Sequence, residues 1–127
     1  MLTQKFSIAV IDDEDAIREA LVSVLKDEGY IVFSAADGEE GLALVIREKP
    51  RLILLDITMP KLNGLEMLKQ LRSHSEYGEK AQVVLLTNAK TDDTILDAIV
   101  KYHPSFFLAK AELTPQDVVE KVKQALK

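Results

Sequence analysis

Five short runs rich in Val, Ile, Leu and Phe punctuate the chain, at residues 6–11, 31–35, 52–55, 82–86 and 106–109. Their brevity and near-continuous apolar character suit strands covered on both faces. Between them the apolar positions recur with helical spacing. Ile17, Ala20, Leu21, Val24 and Leu25 fall at i, i+3, i+4, i+7 and i+8, and Gly29 follows as a helix-ending glycine. A second helix begins at Asp37, with Glu39 and Glu40 where the dipole favours acids, buries Leu42, Leu44, Val45 and Ile46, and ends before Pro50. The third runs from about Gly64 through Leu65, Met67, Leu68 and Leu71 to the polar stretch 73–80. The fourth starts near Thr91, with Asp92 and Asp93 in its first turn and Ile95, Leu96, Ile99 and Val100 along it. The last has Thr114 as cap, Pro115 at its first helical position and Asp117 three residues after the cap, a capping box with Asp in place of Glu.

Strands that alternate with helices build right-handed βαβ units around a parallel sheet. The expected fold is therefore α/β, a doubly wound (βα)5 domain with a five-stranded parallel sheet of order 2-1-3-4-5. Ligands of such sheets bind in the crevice at the carboxyl ends of the strands.

Composition narrows the reading. The 127 residues are 47% hydrophobic and 29% charged, near the average for one soluble domain. No repeat, low-complexity stretch or Gly/Ser/Pro-rich linker interrupts them, so residues 1–127 are expected to form a single domain with no output domain. The first apolar run is too short for a signal-peptide core or a membrane span, which predicts a cytoplasmic protein without membrane contact. The net charge of -5 would repel a phosphate backbone, so direct nucleic-acid binding is not expected. Without cysteine there is no disulfide framework, thiolate metal site or cysteine nucleophile.

The polar residues at strand ends carry the chemistry. Asp12 and Asp13 follow the first strand, Asp56 ends the third, Thr87 ends the fourth, and Lys110 follows the fifth. Each alone has an ordinary explanation as a cap or loop residue. In the order 2-1-3-4-5, however, all five share one carboxyl edge on neighbouring strands. Three carboxylates in a partly desolvated cleft repel unless a cation compensates. Oxygen ligands without His or Cys favour Mg²⁺, Mn²⁺ or Ca²⁺ over zinc, and Mg²⁺ serves phosphoryl chemistry through one or two carboxylates. A carboxylate can act as nucleophile and form an aspartyl phosphate. Asp56, at the end of a central strand, is the best nucleophile, with Asp13 as direct metal ligand and Asp12 assisting directly or through water. Lys110 and the Thr87 hydroxyl would neutralise charge on the transferring group.

These residues sit in motifs that resemble the receiver domain of two-component response regulators over essentially the whole chain. The matching text is Val10-Ile11-Asp12-Asp13-Glu14, Leu54-Leu55-Asp56-Ile57-Thr58-Met59-Pro60 with Asn63-Gly64, Leu85-Leu86-Thr87, and Phe107-Leu108-Ala109-Lys110. The resemblance implies a flavodoxin-like fold and phosphotransfer to Asp56 from a sensor histidine kinase or a histidine phosphotransfer protein. It implies Mg²⁺ held by Asp13, Asp56 and the Thr58 backbone carbonyl, and a switch in which Thr87 moves toward the phosphoryl group while Phe107 turns inward. Such a switch would act on a downstream protein target; the domain would be no enzyme beyond its own phosphorylation and dephosphorylation.

Three departures from the family pattern stand out. Ala111 follows Lys110 where many receivers have a proline, Asn88 follows Thr87 where a small residue is usual, and Tyr102-His103-Pro104-Ser105 replaces a glycine-alanine connection. Asn88 is expected to slow phosphorylation by small donors. His74 and His103 read as surface or loop residues, Asp92 and Asp93 as dipole partners, and Lys121, Lys123 and Lys127 as a solvated face. Three rival functions share parts of this pattern. A haloacid-dehalogenase-like phosphatase would use Asp13, Thr87 and Lys110 but leave Asp56 without a task. A nucleotide- or flavin-binding module would need glycines where Asp12-Asp13-Glu14-Asp15 stands. A degenerate receiver would act by binding alone, against its complete set of acids and lysine.

Overall fold

The computed structural model describes residues 6–57, 59, 63–87, 93–110 and 113–126. Five strands, β1 (Ser7–Ile11), β2 (Ile31–Ala35), β3 (Leu52–Asp56), β4 (Gln82–Thr87) and β5 (Phe106–Ala109), pair in parallel in the order β2-β1-β3-β4-β5. The expected doubly wound sheet is thus the observed one. Its helices are α1 (Asp15–Asp27), α2 (Gly38–Glu48), α3 (Gly64–His74), α4 (Glu76–Lys80), α5 (Asp93–Tyr102) and α6 (Pro115–Ala125). Among the described residues, no helix is long and apolar enough to cross a membrane.

Alternation along each strand divides the core in two. Ala9, Ile11, Ile53, Leu55, Val83 and Leu85 pack beneath Leu44 and Val45 of α2 and Met67, Leu68 and Leu71 of α3. Their neighbours Ile8, Val10, Leu52, Leu54, Val84 and Leu86 face Leu21 and Leu25 of α1 and Val118, Val119 and Val122 of α6. Successive side chains on a strand point to opposite faces, so a continuous apolar run serves both layers. Each fully buried Leu or Ile contributes about 1.5–3 kcal/mol. Truncating central Leu54, which is fully buried, to alanine would cost about 2–5 kcal/mol.

Local chemistry sets the boundaries. Asp37 caps α2 through its side chain, which accepts from Glu40 N at 2.8 Å. The expected capping box of α6 is formed: Thr114 Oγ1 accepts from Asp117 N at 3.2 Å and Asp117 Oδ2 from Thr114 N at 2.9 Å. The expected third helix ends at His74, and the polar stretch after it holds a short helix of its own. Ser75 is extended, with φ -163°, and its hydroxyl caps α4 by accepting from Gly78 N at 3.2 Å. Strands β3 and β4 each run one residue beyond their apolar runs, because Asp56 and Thr87 keep their ladder partners Leu86 and Ala109.

The unusual connection after α5 is held from a distance. His103 takes a left-handed conformation, φ 37°, where a glycine would be at ease. From α3, Arg72 donates through Nε to Tyr102 O at 3.0 Å and through a terminal nitrogen to His103 O at 3.4 Å. Its other terminal nitrogen reaches Gly78 O at 2.9 Å and Ala81 O at 2.6 Å. One guanidinium therefore ties the end of α5 to α4 and the start of β4. Ser105 completes the join, its N–H donating to Val83 O at 2.7 Å and its hydroxyl to Gln82 Oε1 at 2.9 Å.

Candidate functional site

Because all strands are parallel, their carboxyl ends share one edge, and adjacent strands β1, β3, β4 and β5 bring the polar residues there together. Asp12 leaves β1 with its N–H bonded to Ala35 O at 3.2 Å, and its carbonyl accepts from Arg18 of α1 at 2.9 Å. Its Oδ1 accepts from Glu14 N at 2.9 Å, which fixes the turn into α1. Asp56 ends β3 in register with Leu86, and the buried Thr87 comes one residue later on the adjacent strand. Behind Asp56, the N–H of Gly64 bonds to Ile57 O at 2.8 Å. A Cβ at Gly64 would collide with the Asp56 carbonyl oxygen, so only glycine lets α3 begin this close to the strand end.

Asp12, Asp13 and Asp56 each offer a carboxylate oxygen within 4.8 Å of the others. Lys110 enters from the end of β5 with its side chain only 5% exposed. Its Nζ lies 2.7 Å from Asp12 Oδ2, 2.9 Å from Glu14 Oε1 and 3.5 Å from Asp56 Oδ2. Burial pulls the Lys110 pKa down, but contacts with Asp12 and Glu14 and the charges of Asp12 and Asp56 outweigh it, and the net shift is upward. The lysine is therefore a permanent cation at neutral pH. Asp12 Oδ2 touches it off the hydrogen-bonding direction, and this buried oxygen has no hydrogen bond. An oxygen-only trio of acids gathered at one edge suits a hard divalent cation.

Of the residues expected here, Asp12, Asp13, Asp56 and Lys110 converge, and Thr87 stands beside them at the end of β4. Phe107 is half-buried and packs against the α2–α3 side of the core, with Ile99 and Tyr102 also joining that cluster. Thr58, Asn88, Asp92 and Ala111 lie outside the described residues. His74 and His103 are exposed, as expected of surface and loop positions. Two residues show their part only in three dimensions: Glu14, which stands in the first motif, and Gly64, which stands in the second motif and begins α3. An acid just after the strand-end pair was the available signal for Glu14. A wide groove at the opposite edge, lined by Lys49, Pro50, Arg51, His74 and Tyr77, contains none of the acids. It lies where α2 and α3 end, and basic side chains there offset the helix dipoles.

Fold and site together define a class: a doubly wound α/β domain with an acidic trio and a buried lysine at its carboxyl edge. The response regulator receiver domain family matches residues 8–123, and the chain belongs to that family, which is not a family of enzymes in the usual sense. It is 46% identical over 84 residues to the probable transcriptional regulator ycf27 of Porphyridium aerugineum, covering 66% of this chain and 33% of that protein. It is 51% identical over 65 residues to the alkaline phosphatase synthesis transcriptional regulatory protein PhoP of Bacillus subtilis, covering 51% of this chain and 27% of that one. Among solved structures, the chemotaxis protein CheY4 of Vibrio cholerae superposes with a TM-score of 0.85 at 26% identity, covering 96% of this chain and 99% of the other. The chain spans about a third of the length of the curated relatives it matches.

These relatives correct the exclusion of nucleic acid drawn from net charge. ycf27 and PhoP are named as regulators of transcription. A summed field is screened within about 10 Å at ordinary salt, so the charge of one domain constrains its own surface and not that of a domain joined to it. Membership of the receiver family also removes the phosphatase and the nucleotide-binding module.

Proposed function

We propose that Asp56 is the phosphoacceptor of a Mg²⁺-dependent switch that takes its phosphoryl group from a sensor histidine kinase or a histidine phosphotransfer protein, with residues 1–127 acting as one receiver unit. The observation that carries this reading is the meeting of Asp12, Asp13 and Asp56 within 4.8 Å, with Lys110 Nζ 3.5 Å from Asp56 Oδ2. Asp12, Asp13 and Asp56, with the Thr58 carbonyl, would hold the metal. Bound there, Mg²⁺ supplies positive charge to the phosphoryl oxygens.

An ionised Asp56 oxygen attacks phosphorus. The new Oδ–P bond forms as the bond from phosphorus to the donor nitrogen breaks, and its electron pair leaves with the donor. Lys110 offsets the charge on the transferred group, and the Thr87 hydroxyl donates to it. Drawing Thr87 inward frees space for Phe107, so a local change of charge biases the packing of β5 against α5. Likeness to named regulators of transcription supports a switch whose readout is gene expression.

Incubation with acetyl phosphate and Mg²⁺, followed by intact mass, tests the proposal. The wild-type chain should gain one phosphate, and Asp56→Asn or metal-free protein should gain none. Phosphate on Asp56→Asn would overturn the assignment by putting the acceptor on another residue, and none on wild type would overturn it in favour of a receiver that signals by binding alone.

A further inference from the structure

Glu14 occupies the N-cap position of α1, yet its side chain makes no capping hydrogen bond. The carboxylate instead reaches across the site to Lys110, with Oε1 2.9 Å from Nζ. Three acids thus compete for one ammonium. The two nearer, Asp12 at 2.7 Å and Glu14 at 2.9 Å, belong to the β1–α1 turn, and Asp56 at 3.5 Å is the furthest. They differ in how readily they release it. The side chains of Asp12 and Asp56 are 0% and 3% exposed, whereas that of Glu14 is 45% exposed, so water can replace its contact with the lysine.

We propose that Glu14 is a positioning residue for phosphorylation: it holds Lys110 toward the β1–α1 turn in the resting protein and competes with the phosphoryl oxygens for the ammonium. The inference rests on the reading of Asp56 as phosphoacceptor. A phosphoryl group on Asp56 adds negative charge on oxygens beyond Oδ2, and Lys110 exchanges the solvated Glu14 for them. Glu14 therefore opposes the phosphorylated arrangement, and the strength of that opposition is the strength of one partly exposed ion pair.

The probe is beryllofluoride with Mg²⁺, a non-covalent stand-in for the phosphoryl group, with affinity measured by titration calorimetry. Glu14→Gln keeps the side-chain shape and removes the charge. Its affinity should rise by about two- to fivefold, the range such a pair commands. The gain should disappear in a Lys110→Met background, because Glu14 acts through the lysine. An equal gain in both backgrounds would reduce Glu14 to a diffuse negative field and overturn the positioning role, as would no gain in the single variant. Where binding to Lys110→Met is too weak to measure, the ligand-free structure of Glu14→Gln decides. Its ammonium should lie closer to Asp56 Oδ2 than the present 3.5 Å, and an unmoved ammonium overturns the proposal. Wild-type protein that binds no beryllofluoride is a different result, since it removes the phosphoacceptor reading itself and the positioning role with it.

Discussion

Replacing Lys110 with Met isolates the cation from the acids it serves. At an effective dielectric near 20, its attraction to Asp12 at 2.7 Å is about 6 kcal/mol and to Asp56 at 3.5 Å about 5 kcal/mol. Desolvation of the ions, several kcal/mol each, cancels much of this, so the intact cluster adds little net stability. Removing only the lysine is another matter. Two buried carboxylates then face each other without compensation, and breaking such a set by deleting one partner costs about 3–5 kcal/mol. Urea unfolding in the presence of a chelator should show that loss at an unchanged slope against denaturant. Asp12→Asn added to Lys110→Met should restore a large part of it, since the two changes share one interaction. The pH dependence has a definite sign. The folded pKa of Lys110 is raised, so its contribution is fully present below the ordinary lysine value of 10.5 and fades as pH climbs through the higher folded value. The gap between wild type and Lys110→Met should therefore stay constant from neutral pH to that point and narrow above it. A variant within about 1 kcal/mol of wild type at pH 7 would refute the picture of a mutually dependent cluster.

Other outcomes follow from single contacts. Burial pushes the Tyr77 phenol up to about 12, against a smaller pull from Arg72, so its phenolate should appear well above the ordinary tyrosine range in an absorbance titration compared with Tyr77→Phe. Stability should fall as pH rises from 10 toward that value, and Tyr77→Phe should remove this slope while losing about 1 kcal/mol at neutral pH with the 2.7 Å bond to Pro50 O. Arg72→Met should cost about 2–4 kcal/mol by denaturant unfolding, because partly buried carbonyls of Gly78, Ala81 and Tyr102 lose a charged donor. The same change at exposed Arg47 should stay within about 0.5 kcal/mol, and equal effects at the two sites would count against the Arg72 tie. Gly64→Ala should displace the end of β3 and lower acetyl phosphate labelling at least about tenfold, a result that unchanged labelling would contradict.

Much of this was written in the order of residues. Apolar runs separated by amphipathic segments specify a parallel sheet, and the strand order then sends Asp12, Asp13, Asp56, Thr87 and Lys110 to one edge. The short helix α4 was hidden because it has no apolar stripe: its partly buried tyrosine and buried glycine give periodicity nothing to register. Glu14 and Arg72 escaped for a related reason. Their partners are chosen by side-chain reach across the fold, 96 residues away for Glu14 and 30 for Arg72, and local spacing does not encode such distances.

Among the described residues, the buried polar residues are Asp12, Asp56 and Thr87, joined by the buried side chain of Lys110, all at a single rim of the sheet. The interior is therefore chemically lopsided, sealed by hydrocarbon through most of its depth and hospitable to water at one end. Brief openings of the native state should begin there, and amide exchange should be faster in the turn after β1 than in mid-strand. The rim that gathers the acids is thus the rim where the fold should yield first.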